Sequence, residues 1–456
     1  MSKVLLINLP VQYYLQQDFA RQNSYNPPLG LLAIGTWLEM NGVDAEVLDL
    51  CNIYLNKQQL TKKIEESAPL LIGITVYTEN LAMALNMSRF IKENFPQIKV
   101  VLGGAHATLA YQDCIESPYI DFVSRKEGES AFLELVMAIE SNEKRIMYDQ
   151  IKGIVFRRNG EIIVNKLEMP IEDLDILPIL KRELADVKKY RKSINISTSR
   201  GCPGRCIYCA ATSISGATYR VRNVENVFLE VVLLKHDFGD RIHMIYMVDD
   251  TFTAIESRVT QFIDLVHKYH LNYSWHCESR VDVMTPELLE KMSKAGCYAV
   301  QFGIESGSQE VLDKIQKGID LNHARRIIEA THKNHMLPIL SFMIGHYCDT
   351  KETMQQTLDF IEEVSRRYHA EVALSYNTPF PGTWQYTHKD EIGLKLKTEK
   401  YSNLTLMNPV AETENFTLND LREIYAKAHQ YIAKVTSLSF MLEKYENIKL
   451  GESING

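Results

Sequence analysis

The sequence lacks a long apolar run, a basic block and a regular cysteine pattern. No hydrophobic stretch approaches the roughly eighteen residues that cross a bilayer, so no membrane span is expected. Lys and Arg number 50 against 58 Asp and Glu, for a formal net charge of −8. No Lys/Arg-rich segment interrupts that balance, and without such an electrostatic footprint a nucleic-acid partner is not expected. The first ten residues hold an apolar run too short for a secretory signal, with no small-residue cleavage site behind it; they read as a buried first strand. Eight cysteines in 456 residues do not form the dense pattern of a disulfide scaffold, which points to a reducing, cytoplasmic setting. A G-x-G-x-x-G after the first strand is missing as well, which argues against a dinucleotide ligand.

The chain is long enough for two or three domains, because single cores rarely grow beyond about 250 residues. Residues 1–140 alternate strand and helix patterns. Apolar runs at 4–9, 47–50, 70–75 and 100–104 have strand length, and residues 29–40, 60–66 and 81–95 have helical spacing, with Gly42 as a stop signal. The alternation predicts a doubly wound, Rossmann-like parallel sheet with helices on both faces. Ligands of such sheets bind beyond the carboxyl ends of the strands, here at Thr75-Val76-Tyr77 and Gly103-Gly104-Ala105-His106. Residues 141–190 read as a linker that contains a hairpin, with Asn159-Gly160 at its turn, followed by an extended connector over 172–178.

From about Ser193 a second series of strand and helix pairs begins, and polar residues recur at the strand ends: Asp249-Asp250, Glu278-Ser279-Arg280, Glu305-Ser306 and Asn377. The repetition predicts a partial α/β barrel of about six strands over 191–389, open on one side, with its chemistry at the strand ends. Residues 390–456 carry helical patterns at 418–432 and 438–445 and a loose tail. Cys277, Cys297 and Cys348 are scattered singly, as small buried hydrophobes are. Trp384 and Tyr386 read as core or pocket aromatics.

The first barrel strand feeds the stretch Ser199-Arg200-Gly201-Cys202-Pro203-Gly204-Arg205-Cys206-Ile207-Tyr208-Cys209-Ala210. Its C-x3-C-x2-C spacing differs from the paired C-x2-C of zinc ribbons, and no fourth Cys or His lies nearby to close a zinc site. Three thiolates on a four-iron cluster leave one iron open, which lets a small molecule bind it directly. The stretch resembles the cluster loop of the radical S-adenosylmethionine (SAM) enzymes. That resemblance implies a [4Fe-4S] cluster on Cys202, Cys206 and Cys209 and SAM as its ligand, with Tyr208 packed near the adenine. Asp249-Asp250-Thr251-Phe252, Glu278-Ser279-Arg280-Val281-Asp282 and Phe302-Gly303-Ile304-Glu305-Ser306-Gly307-Ser308 resemble the family's later strand motifs, in order. By carry-over, Asp250 lies near the SAM amino group, Arg280 near its carboxylate and Glu305 near the ribose hydroxyls, with Ser306 a further SAM-binding residue. A strand-end Asp249 or Asp250 equally suits the role of a cap on the next helix.

Pro27-Pro28-Leu29-Gly30-Leu31, Gly103-Gly104-Ala105-His106-Ala107-Thr108 and Arg125-Lys126-Glu127-Gly128-Glu129 resemble the cobalamin-binding domain that precedes the cluster in one large radical SAM class. Lys126 departs from the glycine more usual there. The resemblance implies cobalamin contacts at Leu29, Thr75, Val76, Tyr77, Gly103, Gly104, His106, Glu127 and Gly128. The Asp-x-His-x-x-Gly motif that supplies a cobalt ligand in other cobalamin domains is absent, so the expected lower ligand is water, another side chain or nothing, and His106 is expected to bond backbone or a corrin amide. Together these features imply a cobalamin-dependent radical SAM enzyme, foremost a methyltransferase acting on an unactivated carbon of a small metabolite or peptide, fed by a flavodoxin- or ferredoxin-like electron donor. A cyclisation, ring contraction or other rearrangement on the same cofactors and a non-catalytic cobalamin or redox sensor are the alternatives. A methylthiotransferase acting on tRNA would need an added N-terminal cysteine triplet and a basic C-terminal module, and neither is present.

Overall fold

The structure, a computed structural model, describes residues 3–11, 27–144, 146–185, 190, 193–239 and 244–435. Strands β1 (Lys3–Asn8), β2 (Asp44–Asp49), β3 (Leu71–Thr75), β4 (Lys99–Gly103) and β5 (Phe122–Ser124) are parallel and lie in the order β2-β1-β3-β4-β5. Val4, Leu5, Leu6 and Ile7 of β1 are all fully buried, as in a sheet covered on both faces. Leu5 and Ile7 pack toward Leu60 and Ile64 of α2 (Lys57–Ser67) and Ala84 and Ile91 of α3 (Leu81–Asn94). Val4 and Leu6 pack toward Leu32 and Leu38 of α1 (Leu29–Met40) and Phe132 and Leu135 of α4 (Glu129–Ser141). The period of two along β1 thus feeds two separate cores.

The hairpin expected in the linker belongs to this sheet. β6 (Ile154–Arg158) pairs antiparallel with β5, and β7 (Glu161–Val164) pairs antiparallel with β6, giving seven strands. Its turn residues Asn159 and Gly160 both take positive φ, 52° and 87°. The connector at 172–178 is not extended throughout: Leu174–Ile176 forms a 3-10 turn.

The second sheet has six parallel strands in the order β15-β14-β13-β12-β11-β8: β8 (Ser193–Ile196), β11 (Met244–Met247), β12 (Ser274–Ser279), β13 (Cys297–Glu305), β14 (Leu337–Ile344) and β15 (Glu371–Tyr376). Between β8 and β11 the chain makes a small antiparallel pair, β9 (Ser199–Arg200) and β10 (Arg220–Val221). Ile245, Met247, Val300, Phe302, Leu340 and Phe342 face a helical layer that includes α5 (Val224–Phe238), α6 (Glu256–Lys268), α7 (Pro286–Lys294), α8 (Leu321–Lys333) and α9 (Lys351–Tyr368). Tyr246, His276, Glu278, Tyr298 and Gln301 alternate with buried neighbours, are only half-buried, and line the opposite, concave side. This is the open six-stranded barrel. α10 (Leu418–Val435) packs beside α9 and β15, with the Tyr425 ring stacked on Tyr376 at 4.6 Å. The helix read at 438–445 and the loose tail lie outside the described residues.

Candidate active site

The cysteine loop leaves β8 through Thr198 and Ser199, and both are held by Asp249, at the end of the neighbouring strand. Its Oδ1 accepts from the Thr198 and Ser199 amides at 2.6 and 3.1 Å, and its Oδ2 accepts from the Thr198 hydroxyl. Burial pushes this carboxyl above the usual range against the pull of those hydrogen bonds. Asp249 therefore anchors the loop and caps no helix. Further along, the Ile207 amide donates to the Ile315 carbonyl at 3.2 Å and the Gln385 amide to the Ile207 carbonyl at 3.1 Å.

The sulfurs converge at Gly204. A Cβ built there would lie 3.3 Å from Cys202 Sγ, 3.8 Å from Cys206 Sγ and 3.0 Å from Arg280 Nη1, so a side chain at this position would have to push the guanidinium or the sulfur aside. Burial above all pushes the Cys209 thiol up to about 11; among the smaller influences, an Ala211 backbone hydrogen bond lowers it while Cys206, Asp250 and Cys202 raise it further. These acids share one small volume. Among the described residues no group of three or more His, Cys, Asp or Glu side chains is close enough to hold a single ion. Three cysteine thiols on one loop are the donor set that suits an iron–sulfur centre.

Around the loop, Arg280 Nη1 lies 3.9 Å from Cys206 Sγ, and its Nη2 donates to the Lys317 carbonyl at 2.6 Å. Glu305 has φ of 72° and accepts from Lys317 Nζ at 2.9 Å, with both side chains largely buried. Tyr208 packs its ring 5.4 Å from that of His346, whose two ring nitrogens have no protein partner; burial pushes this imidazole down to about 4, so it is neutral. Ser306 does not face the site. Its hydroxyl lies 3.2 Å from Thr357 Oγ1 and accepts from the Ser308 amide at 3.1 Å, because β13 ends there and the turn must satisfy its own polar groups.

A cavity of 670 Å³ lies between the two sheets. One wall is formed by the carboxyl ends of β1, β3, β4 and β5, through Asn8, Thr75, Gly103 and Ser124, together with Leu29, Tyr77, Gly104, Glu127 and Gly128. The other comes from Ser197, Ser199, Arg200, Gly201, Val248 and Asp250 at the mouth of the barrel. Gly104, at φ of 100°, brings the backbone within reach of Thr75: a Cβ there would lie 2.8 Å from its hydroxyl. Tyr77 is 49% exposed at the rim. The Ser124 hydroxyl is buried in the wall without a partner, the kind of group an amide-fringed ligand satisfies. Asp250 opens into the cavity, yet protein encloses its other sides; burial, with Asp249 adding, pushes its carboxyl up.

Two of the expected contacts are turned away. Val76 is fully buried and not in the wall, and its backbone bridges instead, the amide to Gly103 and the carbonyl to the His106 amide. His106 is 1% exposed, with Nδ1 3.1 Å from the Thr78 hydroxyl, Nε2 3.5 Å from Asp113 and its ring against Tyr401. Tyr401 also donates to Asp113 at 2.8 Å, so the reading of His106 as a corrin contact gives way to a buried structural role. No histidine is among the described residues that line the cavity. Trp384 is 42% exposed and stacks on His388, so it is neither core nor pocket, and Cys348 is only partly buried.

Sequence reasoning missed Lys317, His346, Arg200 and Arg220. Arg220 donates to Glu127 at 2.6 Å, while Arg200 lies 3.4 Å from Glu127 and donates to Glu129. Arg200 abuts the cysteine motif, which was a usable signal. The other three carry none: Lys317 and Arg220 are placed by carboxylates 12 and 93 residues away, and His346 by packing against Tyr208.

Comparison with known proteins supplies the family. Residues 196–361 match the model of the Radical SAM superfamily and residues 19–136 that of the B12 binding domain. The chain therefore carries a radical SAM domain behind a B12-binding domain. It is 29% identical over 434 residues to an uncharacterized methyltransferase of Pyrococcus horikoshii, covering 94% of this chain and 91% of that one. It is 28% identical to an anaerobic magnesium-protoporphyrin IX monomethyl ester cyclase of Rubrivivax gelatinosus, covering 87% and 71%. Its fold matches the radical SAM methyltransferase TsrM of Kitasatospora setae, solved with cobalamin and a [4Fe-4S] cluster, at a TM-score of 0.74 and 20% identity over 90% of this chain and 83% of that one. With these two domains it is a radical SAM enzyme whose cofactors are a [4Fe-4S] cluster, SAM and cobalamin. No described helix is long and apolar enough to cross a membrane.

Proposed function

We propose that this radical SAM enzyme is a cobalamin-dependent methyltransferase that alkylates an unactivated carbon of a small molecule or peptide, taking electrons from a flavodoxin- or ferredoxin-like donor in the cytoplasm. The observation that carries the reading is the shared cavity: strand ends of the corrin-binding sheet form one wall and the mouth of the barrel beside the cysteine loop forms the other. When bound, the cluster supplies the electron that cleaves SAM reductively and the corrin supplies cobalt-centred methyl chemistry.

The chain's own residues bind, orient and exclude water. Cys202, Cys206 and Cys209 hold the cluster. Tyr208 offers an aromatic face to the adenine, Asp250 an acceptor to the methionyl amine, Arg280 a cation to the carboxylate, and Glu305 the carboxylate oxygen not bound by Lys317 to the ribose. Leu29, Thr75, Tyr77, Gly103, Gly104, Glu127 and Gly128 hold the corrin. Enclosing the reactants between two rigid sheets sets their relative orientation, which is where a protein contributes most to such a reaction.

Similarity to the cyclase favours one second reading, ring formation on the same cofactors. The test is anaerobic reconstitution with iron, sulfide and hydroxocobalamin, followed by assay with SAM and a reductant. About four irons and one corrin per chain, with product gaining the mass of a methylene, meets the proposal. Product losing hydrogen without gaining carbon selects ring formation, and four irons without retained corrin overturns both.

A further inference from the structure

The short helix Ala210–Ser215 starts at Cys209, the third cysteine of the loop. Its last carbonyls have no partner within the helix and must find one elsewhere. Ala211 O accepts from the Ser215 hydroxyl at 2.7 Å, Thr212 O from the Gly216 amide at 2.8 Å, and Ser215 O from the Thr218 hydroxyl at 2.8 Å. The two that remain, Ser213 O and Ile214 O, both accept from Lys126 Nζ, the first at 2.9 Å.

Lys126 belongs to the other domain, on the loop between β5 and α4. It stands at φ of 69°, in the left-handed region that disfavours any residue with a side chain. Its amide donates to the Thr108 hydroxyl at 2.9 Å, which holds the loop in that conformation. The side chain lies in the cavity wall and crosses to the cysteine helix, where a cation at the carboxyl end also complements the helix dipole. Glu127 and Glu129 on either side of Gly128 bind Arg220 and Arg200, so the domains remain docked by other contacts.

We propose that Lys126 is a positioning residue: by capping, from the corrin-binding domain, the helix that carries Cys209, it fixes the cysteine loop relative to the shared cavity. The inference rests on the proposed function only in taking that cavity as the place where corrin and SAM meet; the cap itself does not depend on it. Its effect is local, because the neighbouring ion pairs hold the domains together without it.

The test compares wild type with Lys126→Met, Lys126→Gly and Lys126→Arg, each reconstituted anaerobically with and without hydroxocobalamin. Hydrogen exchange over residues 206–218 is expected to quicken about tenfold in the Met and Gly variants while β4 and β5 keep their protection, and the Arg variant is expected to restore it. The electron paramagnetic resonance signal of the reduced cluster with SAM should shift in the Met variant and return in the Arg variant. Wild-type exchange in Lys126→Met, or in Lys126→Gly, where the backbone is relaxed but the ammonium is gone, would overturn the proposal. Corrin lost from the wild type sinks the functional reading alone, since exchange in the corrin-free samples still decides on Lys126.

Discussion

Arg280 joins the cysteine loop to the end of its own strand: Nη1 lies 3.9 Å from Cys206 Sγ while Nε and Nη2 hold the two Asp282 oxygens at 2.9 and 3.1 Å. The fork is therefore pre-aimed. Lysine keeps the charge and loses the fork. In Arg280→Lys, SAM should bind about 10 to 100 times more weakly, the loss of one charge-assisted hydrogen bond, with iron content unchanged. Titration of the SAM-induced change in the reduced-cluster spectrum measures it.

Gly204 has sulfur on one side and a guanidinium on the other. In Gly204→Ala the new methyl must displace Arg280 Nη1 or Cys202 Sγ, at 3.0 and 3.3 Å. Iron and sulfide per chain should fall well below wild type while circular dichroism stays the same. Full cluster occupancy in the variant would show that the loop relaxes freely.

Glu230 is buried between two arginines, accepting from Arg182 at 2.9 Å and Arg222 at 2.6 Å. Removing it strands two guanidiniums out of water. Glu230→Ala should lose about 3 to 5 kcal/mol against urea, and Glu230→Gln, which keeps an acceptor, should lose less.

Burial pushes the Glu278 carboxyl from 4.5 up to about 7. The folded chain therefore holds a proton that the unfolded chain releases between those values, and stability declines as pH rises through that window. Glu278→Gln has no such decline. Above pH 7 it should be the more stable protein, by at most about 3 kcal/mol, because the Tyr246 hydroxyl donates to the same carboxylate and offsets part of the penalty. Urea midpoints at several pH values test this.

Elements governed by local periodicity were legible. α1 and β14 begin and end where the apolar pattern does, and the cysteine spacing announced the loop. What escaped was set by contacts between distant segments. Nothing near Lys317 marks it as the partner of Glu305, twelve residues away. His106 looked free for a ligand because Thr78 and Tyr401, which enclose it, come from elsewhere in the chain. The hairpin at 154–164 was legible as a hairpin but not as part of the first sheet, since its apolar face does not name the strand it joins. The unusual lysine at 126 was visible, and its reason was not, because the carbonyls it caps lie 87 and 88 residues further on.

The anchoring of Thr198 and Ser199 by Asp249 bears on how the enzyme is made. Among the described residues β8 pairs only with β11, and the carboxylate that fixes the loop lies 51 residues beyond Thr198. During synthesis the three thiols leave the ribosome before the strand and the acid that shape their cradle. Iron that reaches the thiols before Asp249 has folded into place meets a loop without that anchor.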